Sequence, residues 1–320
     1  MIPDDPLGRR WVEVSGANPE RVEDYRPSLV AFLAFGPGRH AMFQGTGFVI
    51  SANEDCALAI TARHVLSEGV ARFQRPHRLH EPSALPIFLT PTEPSIGPKD
   101  LRAIWMGDED AGILNVVGVE YNTALDIALC TLVPQPAVPC KFRAVSIPID
   151  TAVPKVGDAI HLVSHGEMDV TEFAEPASDG DGQGLLLGKA LNIRVGTVTG
   201  VYPNGYRQYR WPCFTTSVPA RKGMSGGFVS LLRQGQTIGA CGIVCADNST
   251  ESAHVDYTET GESVVACSWP SLILRVPEGL ALFEMMQRGH MPMALGGIEH
   301  IYFEKRGDGE WHLGLKPNSH

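Results

Sequence analysis

From Ser28 onward, short apolar runs alternate with glycine or polar clusters along the chain. The first three are SLVAFLAFG (28–36), MFQGTGFVIS (42–51) and CALAITARHV (56–65). Similar pieces recur at 111–120, 125–133, 159–164, 191–202, 226–232, 237–246 and 262–269. Each has strand length and is bounded by turn formers, so each predicts a β-strand. Many short strands at turn-separated intervals predict an all-β sandwich or barrel. They are not interleaved with the long helical periods that a parallel α/β sheet requires.

Several stretches leave this rhythm. Residues 1–27 are polar and aperiodic, which reads as an N-terminal strap. Residues 74–108 are proline-rich and read as an ordered excursion or an insertion. Residues 166–184 are acidic and glycine-rich, which predicts a mobile surface loop. Near the end, Leu280, Phe283, Glu284, Met285 and Met286 fall in a helix-length run. Pro277 is its expected start and Gly289 its expected cap. The tail then alternates about Gly307-Asp308-Gly309, predicting a hairpin.

Composition narrows the class. The chain has 320 residues, 43% of them hydrophobic, with 34 Gly and 24 Pro, the profile of a turn-rich globular protein able to bury a core. Lys+Arg against Asp+Glu gives 26 − 36 = −10. An acidic chain with no Lys/Arg run argues against a phosphate-reading nucleic-acid binder. Seven cysteines form an odd set without a repeating framework, so reduced thiols are expected. The N-terminus lacks the apolar core of a secretory signal. No apolar run approaches the roughly 18 residues needed to span a bilayer. The expectation is a soluble, cytoplasmic protein with no membrane partner.

Three segments carry candidate chemistry. Thr61-Ala62-Arg63-His64-Val65 ends an apolar run and is preceded by Gly45-Thr46-Gly47-Phe48. Leu125-Asp126-Ile127-Ala128-Leu129 embeds an aspartate in an otherwise apolar strand. Gly223-Met224-Ser225-Gly226-Gly227 precedes the run from Phe228 to Leu232. A serine hydroxyl is a poor nucleophile at neutral pH and needs a base such as histidine within hydrogen-bond reach. That imidazole needs a carboxylate to fix its tautomer and stabilise the imidazolium. Glycines around the serine let two backbone N–H groups converge on a developing oxyanion. A buried carboxylate is costly unless paired, which makes Asp126 informative.

Together these segments resemble the His, Asp and Ser signatures of the trypsin-like, chymotrypsin-fold serine proteases, in that family's chain order. TARHV resembles the family's Thr-Ala-Ala-His-Cys, DIALC its Asp-Ile-Ala-Leu, and GMSGG its Gly-Asp-Ser-Gly-Gly. GTGFVIS resembles the Gly-Ser-Gly-Phe strand of bacterial members. The spacings, 126 − 64 = 62 and 225 − 126 = 99, fit two successive barrels with one expanded loop.

The resemblance implies two antiparallel six-stranded β-barrels with a C-terminal helix. The first barrel is expected over 28–144, the second over 145–275, and a helix and hairpin tail over 276–320. His64 would serve as general base and then general acid, Asp126 would orient it, and Ser225 would be the nucleophile. The N–H groups of Gly223 and Ser225 would form the oxyanion hole. Peptide hydrolysis of this kind needs no metal and no cofactor.

Departures from the family pattern qualify these expectations. Met224 replaces an aspartate that, in the animal digestive enzymes, pairs with a new N-terminal amine, so activation by that route is not expected. Val65 stands where a cysteine often follows the histidine, in keeping with reduced thiols. Pro219 occupies the floor of the pocket for the residue before the scissile bond (P1), so no carboxylate there selects Arg or Lys. Gly242 to Asp247 resembles the strand that pairs with an extended peptide. Along it Cys245, Ala246 and Asp247 would border the substrate. Ala246 opens the pocket wall, and Asp247 adds a carboxylate that would favour a basic side chain; the balance favours a small or apolar P1 residue.

The leading expectation is a serine endopeptidase of narrow or regulated specificity acting on a polypeptide. The alternative is a silent or latent protease-fold binding protein that needs an activating protein partner. His77 and His80 lack a third metal ligand, and Asp179 and Asp181 lack the remaining ligands of a calcium loop. Cys241 and Cys245, four apart, read as core thiols on one strand.

Overall fold

The computed structural model describes residues 11–13, 23–35, 41–66, 101–107, 111–121, 125–135, 142–166, 168, 170–174, 183–188, 191–207, 209–221, 223–232, 238–247, 262–277, 279–307 and 311–316. Most of the strap, His77 and His80, Asp179 and Asp181, most of the 74–108 excursion and much of the acidic 166–184 segment lie outside the described residues.

Strand β1 (Trp11–Glu13) is followed by a 3-10 turn, Glu23–Ser28, and then by β2 (Leu29–Phe35), β3 (Ala41–Ala52), β4 (Ala57–Thr61), β5 (Leu101–Met106), β6 (Ala111–Tyr121) and β7 (Ala128–Pro134). These last six close into an antiparallel barrel in the order β2-β3-β4-β7-β6-β5, with β5 pairing back onto β2. Closure leaves no unpaired edge. Inner and outer faces alternate along the start of β6, while β4, flanked by β3 and β7, is buried at all five positions. Bulges beside Phe32, Val49 and Val116 bend the strands around the barrel.

The second half contributes β8 (Ala159–His165), β9 (Val170–Ala174), β10 (Gln183–Leu187), β11 (Leu191–Tyr202), β12 (Cys213–Thr216), β13 (Phe228–Leu231), β14 (Gly242–Asp247) and β15 (Ser263–Cys267). Strands β11-β12-β15-β14-β13-β8 form one sheet, and β8 pairs with β11 to close it into a second six-stranded barrel. Strand β1 adds to β11 from outside, and β9 and β10 form a separate hairpin. The expected pair of six-stranded barrels is therefore the architecture found.

Each barrel uses one strand that the hydrophobic pattern did not pick out. Strand β5 lies inside the 74–108 stretch read as an excursion or insertion, and β12 is only four residues long. Strands β9 and β10 fall within or beside the stretch expected to be a mobile loop.

The barrels share a continuous apolar interior. Phe48 of β3 packs on Phe228 of β13 with ring centroids 5.5 Å apart, and Tyr25 meets the same ring at 5.9 Å. Burying one such side chain is worth roughly 2–3 kcal/mol. The connecting segment is pinned at both ends. Ile147 N donates to Val49 O (2.8 Å) in the first barrel, and Asp150 N donates to Ala240 O (2.8 Å) in the second.

The C-terminal helix α1 (Leu282–Gln287) starts later than Pro277 would suggest. Gly279, at φ +83°, turns the chain first, and the Glu284 carboxylate accepts from Ala281 N (2.9 Å), capping the helix there. Gly289, at φ +72°, ends it as expected, with His290 N donating to Met285 O and Gly289 N to Met286 O. Phe283 stacks on Phe303 of β16 (Ile301–Lys305) and meets Trp311 of β17 (Trp311–Leu315) edge-on. Those two strands pair as the expected hairpin. Among the described residues, no helix is long and apolar enough to cross a membrane.

Candidate active site

Strand β4 ends at Thr61, and the chain turns at once into a short helical segment over 63–66. His64 therefore sits beyond the strand on a turn, where its side chain is partly exposed. Asp126 also lies off regular structure. It stands two residues before β7 rather than within a strand, and is 6% exposed. Its two carboxylate oxygens both serve His64: Oδ1 accepts from the backbone N (3.1 Å), and Oδ2 faces ring Nδ1 at 2.7 Å. Arg63 N adds a bond to Asp126 O (3.3 Å). An ionised carboxylate only accepts, so the proton of this pair belongs on Nδ1. Nε2 is then the basic nitrogen of the neutral ring.

The serine segment comes from the second barrel as a tight turn between Arg221 and β13. Gly223 and Gly226 adopt φ +85° and +83°, a region that side chains disfavour. At Gly226 a Cβ would fall 1.9 Å from Thr46 O, so close approach of the first barrel also demands glycine. Met224 N donates to Arg221 O, Gly227 N to Met224 O, Gly226 N to Val244 O and Val244 N to Gly227 O, all at 2.8–3.0 Å. Because a trans peptide points C=O and N–H in opposite directions, the Met224–Gly227 bond turns the Ser225 N–H away from the turn interior. Among the described residues, neither the Gly223 N–H nor the Ser225 N–H donates a hydrogen bond. These are the two donors expected for an oxyanion.

Ser225 Oγ donates to Cys245 O (3.3 Å) and, among the described residues, not to His64. Histidine and aspartate are thus joined, while the serine is presented nearby with its proton on a backbone carbonyl. Cys245 is the bulged residue of β14, between the pairs Val244↔Val265 and Ala246↔Val264. Cys241 precedes that strand rather than sharing it with Cys245, and both thiols are buried as expected. Burial pushes the Cys245 thiol well above its ordinary pKa, and the negative charge of the nearby Asp126 carboxylate pushes the same way. The thiol stays protonated against the carboxylate.

Among the pocket residues expected from sequence, Pro219 is buried and its carbonyl accepts from Arg194 Nη1 (2.8 Å). Arg194 is itself 4% exposed. Ala246 and Asp247 pair through their backbones with Val264 and Ser263; their side chains lie outside the described residues. Met224 is fully buried, with Sδ accepting from Arg221 N (3.1 Å). Among the described residues, no group of three or more His, Cys, Asp or Glu is placed to hold a metal.

Three residues at this site escaped the sequence reading. Arg194 lies within an apolar strand, where a charge was the available signal. Thr46 lies in the Gly-Thr-Gly run already singled out, but was not assigned a role. His165 ends β8, buried, and its backbone N and O both bond Thr46 Oγ1. Burial, with the Arg26 charge adding to it, pushes its pKa down to about 4.

In solved structures, the chain is similar to the Rv3671c protease of M. tuberculosis. Identity is 16% to a serine-to-alanine mutant in its inactive form, over 81% of this chain and 94% of that one, with TM-score 0.42. To the active form it is 15%, over 79% and 84%, with TM-score 0.41. Human heparin binding protein is 13% identical over 87% of this chain and 94% of its own, with TM-score 0.43. No curated protein matches the chain significantly in sequence. The model of the trypsin-like peptidase domain matches residues 45–239, which is 239 − 45 + 1 = 195 of 320 residues. That span is more than half of the chain and takes in His64, Asp126 and Ser225, and so the chain belongs to the trypsin-like peptidase family.

Proposed function

We propose that this chain is a serine endopeptidase that cleaves polypeptides through an acyl-enzyme, with His64, Asp126 and Ser225 as its triad. The observation that carries this reading is the double engagement of Asp126 by the backbone N–H and ring Nδ1 of His64, at 3.1 and 2.7 Å. The bond to ring Nδ1 fixes the tautomer that a general base needs, so that Nε2 is the basic nitrogen of a partly exposed ring.

Ser225 Oγ attacks the scissile carbonyl while its proton passes to His64 Nε2. The new oxyanion takes the N–H groups of Gly223 and Ser225. Losing one such donor typically costs about 3–4 kcal/mol of transition-state stabilisation. His64 then gives its proton to the leaving amine, the C–N bond breaks, and the acyl group stays on Oγ. Water, deprotonated by His64, releases the acid and restores the serine. The residues in these steps include no metal ligand set and call on no cofactor.

Strand β14 pairs with the extended substrate, and the Cys245 carbonyl lies beside the nucleophile. Pro219 brings no carboxylate to the pocket floor, and its carbonyl is engaged by Arg194. This favours a small or apolar P1 residue over Lys or Arg. The bond from Ser225 Oγ to Cys245 O favours a second reading, a latent enzyme whose serine turns to His64 only when a substrate or partner protein takes that carbonyl.

Fluorophosphonate labelling of the wild type and Ser225→Ala tests the enzyme reading. Labelling that vanishes in the variant supports it; a folded wild type unlabelled under every condition would sink it. Labelling that appears only with a peptide substrate or partner supports latency.

A further inference from the structure

We propose that Thr46 is a positioning residue for this peptidase, bracing the Ser225 turn of the second barrel against the strand that leads to His64 in the first. The role rests on the serine-peptidase reading above. Thr46 lies on β3, fully buried, and its polar contacts converge on the site. Its N–H donates to Ser225 O (2.8 Å). Its carbonyl accepts from Thr61 Oγ1 (2.6 Å), three residues before His64. Its hydroxyl accepts from His165 N (3.0 Å) and faces two carbonyls, His165 O at 2.9 Å and Gly223 O at 3.0 Å. A hydroxyl has one proton, so those two acceptors share it.

The consequence is control of consecutive peptide planes. Thr46 holds the carbonyl of Gly223 and the carbonyl of Ser225. The plane between them is held by Gly227 N on Met224 O. Three planes in a row are thereby fixed, two of them by one residue from the other barrel. They set where Ser225 Oγ and its N–H point. Reactive geometry of this kind tolerates little error, since a displacement of about 1 Å can cost about 100-fold in rate. The missing space at Gly226 shows that the turn rests directly on the Thr46 peptide. A backbone contact alone would survive any side chain; the hydroxyl is what joins β8, through His165, to the turn.

Thr46→Val is close to isosteric and keeps the N–H to Ser225 O while losing the hydroxyl. Thr46→Ala is a second hydroxyl-free variant, and Thr46→Ser restores the hydroxyl. In full-length protein, the fluorophosphonate labelling rate and kcat on a peptide substrate are expected to fall about 10- to 100-fold in the hydroxyl-free variants. KM is expected to stay within about threefold, and Thr46→Ser to recover most of the rate. Amide hydrogen exchange at Met224, Gly226 and Gly227 should quicken by about tenfold or more in Thr46→Val and stay slow in Thr46→Ser. Labelling and kcat within twofold of wild type in either folded hydroxyl-free variant would overturn the role. A wild type that never labels would sink the peptidase reading alone. The exchange comparison then decides the brace: faster exchange supports it, and unchanged exchange in Thr46→Val overturns it.

Discussion

Acidification should destabilise this protein through a single buried ring. His165 closes β8 with both ring nitrogens buried and without a hydrogen-bond partner among the described residues. Burial pushes its pKa from 6.5 down to about 4, and the charge of Arg26 works in the same direction. The ring is neutral in the folded state over a range where the unfolded chain already binds a proton. Stability from this group is therefore complete above pH 6.5 and is lost as pH falls from 6.5 toward 4. At about 1.4 kcal/mol per pH unit, that interval corresponds to about 3 kcal/mol. This is a large share of the roughly 5–15 kcal/mol that holds an ordinary domain folded.

Urea unfolding of the wild type and His165→Leu at pH 7, 6, 5 and 4 isolates the contribution, because other titrating groups are common to both. The bonds to Thr46 come from the backbone of His165, so they persist in the variant. The wild type should lose about 3 kcal/mol more than His165→Leu between pH 7 and 4. Parallel pH curves for the two proteins would refute the reasoning. They would mean that the ring is solvated or hydrogen-bonded in the folded state.

Two further outcomes follow from the packing around the site. Gly226→Ala places a Cβ against Thr46 O at a positive φ, so it should lower stability by at least about 2 kcal/mol and abolish Ser225 labelling. A variant with the wild-type urea midpoint would contradict the close approach. Iodoacetamide at pH 8 should alkylate the partly exposed Cys56 and spare buried Cys245 and Cys267, the latter pushed up by burial to about 12. Peptide mass spectrometry reads the difference, and rapid alkylation of Cys245 in folded protein would contradict its burial.

What the sequence revealed depended on how local each signal was. His64, Asp126 and Ser225 stand in runs whose composition is unusual by itself, since turns that aim reactive groups need glycine and buried charge needs a partner. Their secondary structure was harder to read. Asp126 looked like a strand residue because Leu125 and Ile127 flank it, yet β7 begins only at Ala128. Strand β5 was hidden because Arg102 interrupts its apolar run and proline-rich chain precedes it, although five of its six positions are buried. Strand β12 has four residues, two of them threonines, and its burial comes from its neighbours β11 and β15. The Thr46 hub could not be read at all. Its hydroxyl reaches residues 119 and 177 positions away, and only the docking of two barrels brings them together.

The shared interior of the two barrels also limits how the molecule moves. Parting them would carry Phe48, Phe228 and Tyr25 into water, at roughly 2–3 kcal/mol for each side chain. About 6–9 kcal/mol in total leaves the opened form at a population of about one in 10⁴ or less. The two barrels therefore keep a fixed relation, with no clamshell cycle between the halves. Any rearrangement that the proposed reaction needs falls to smaller motions, on the faster timescale of loops rather than that of whole domains.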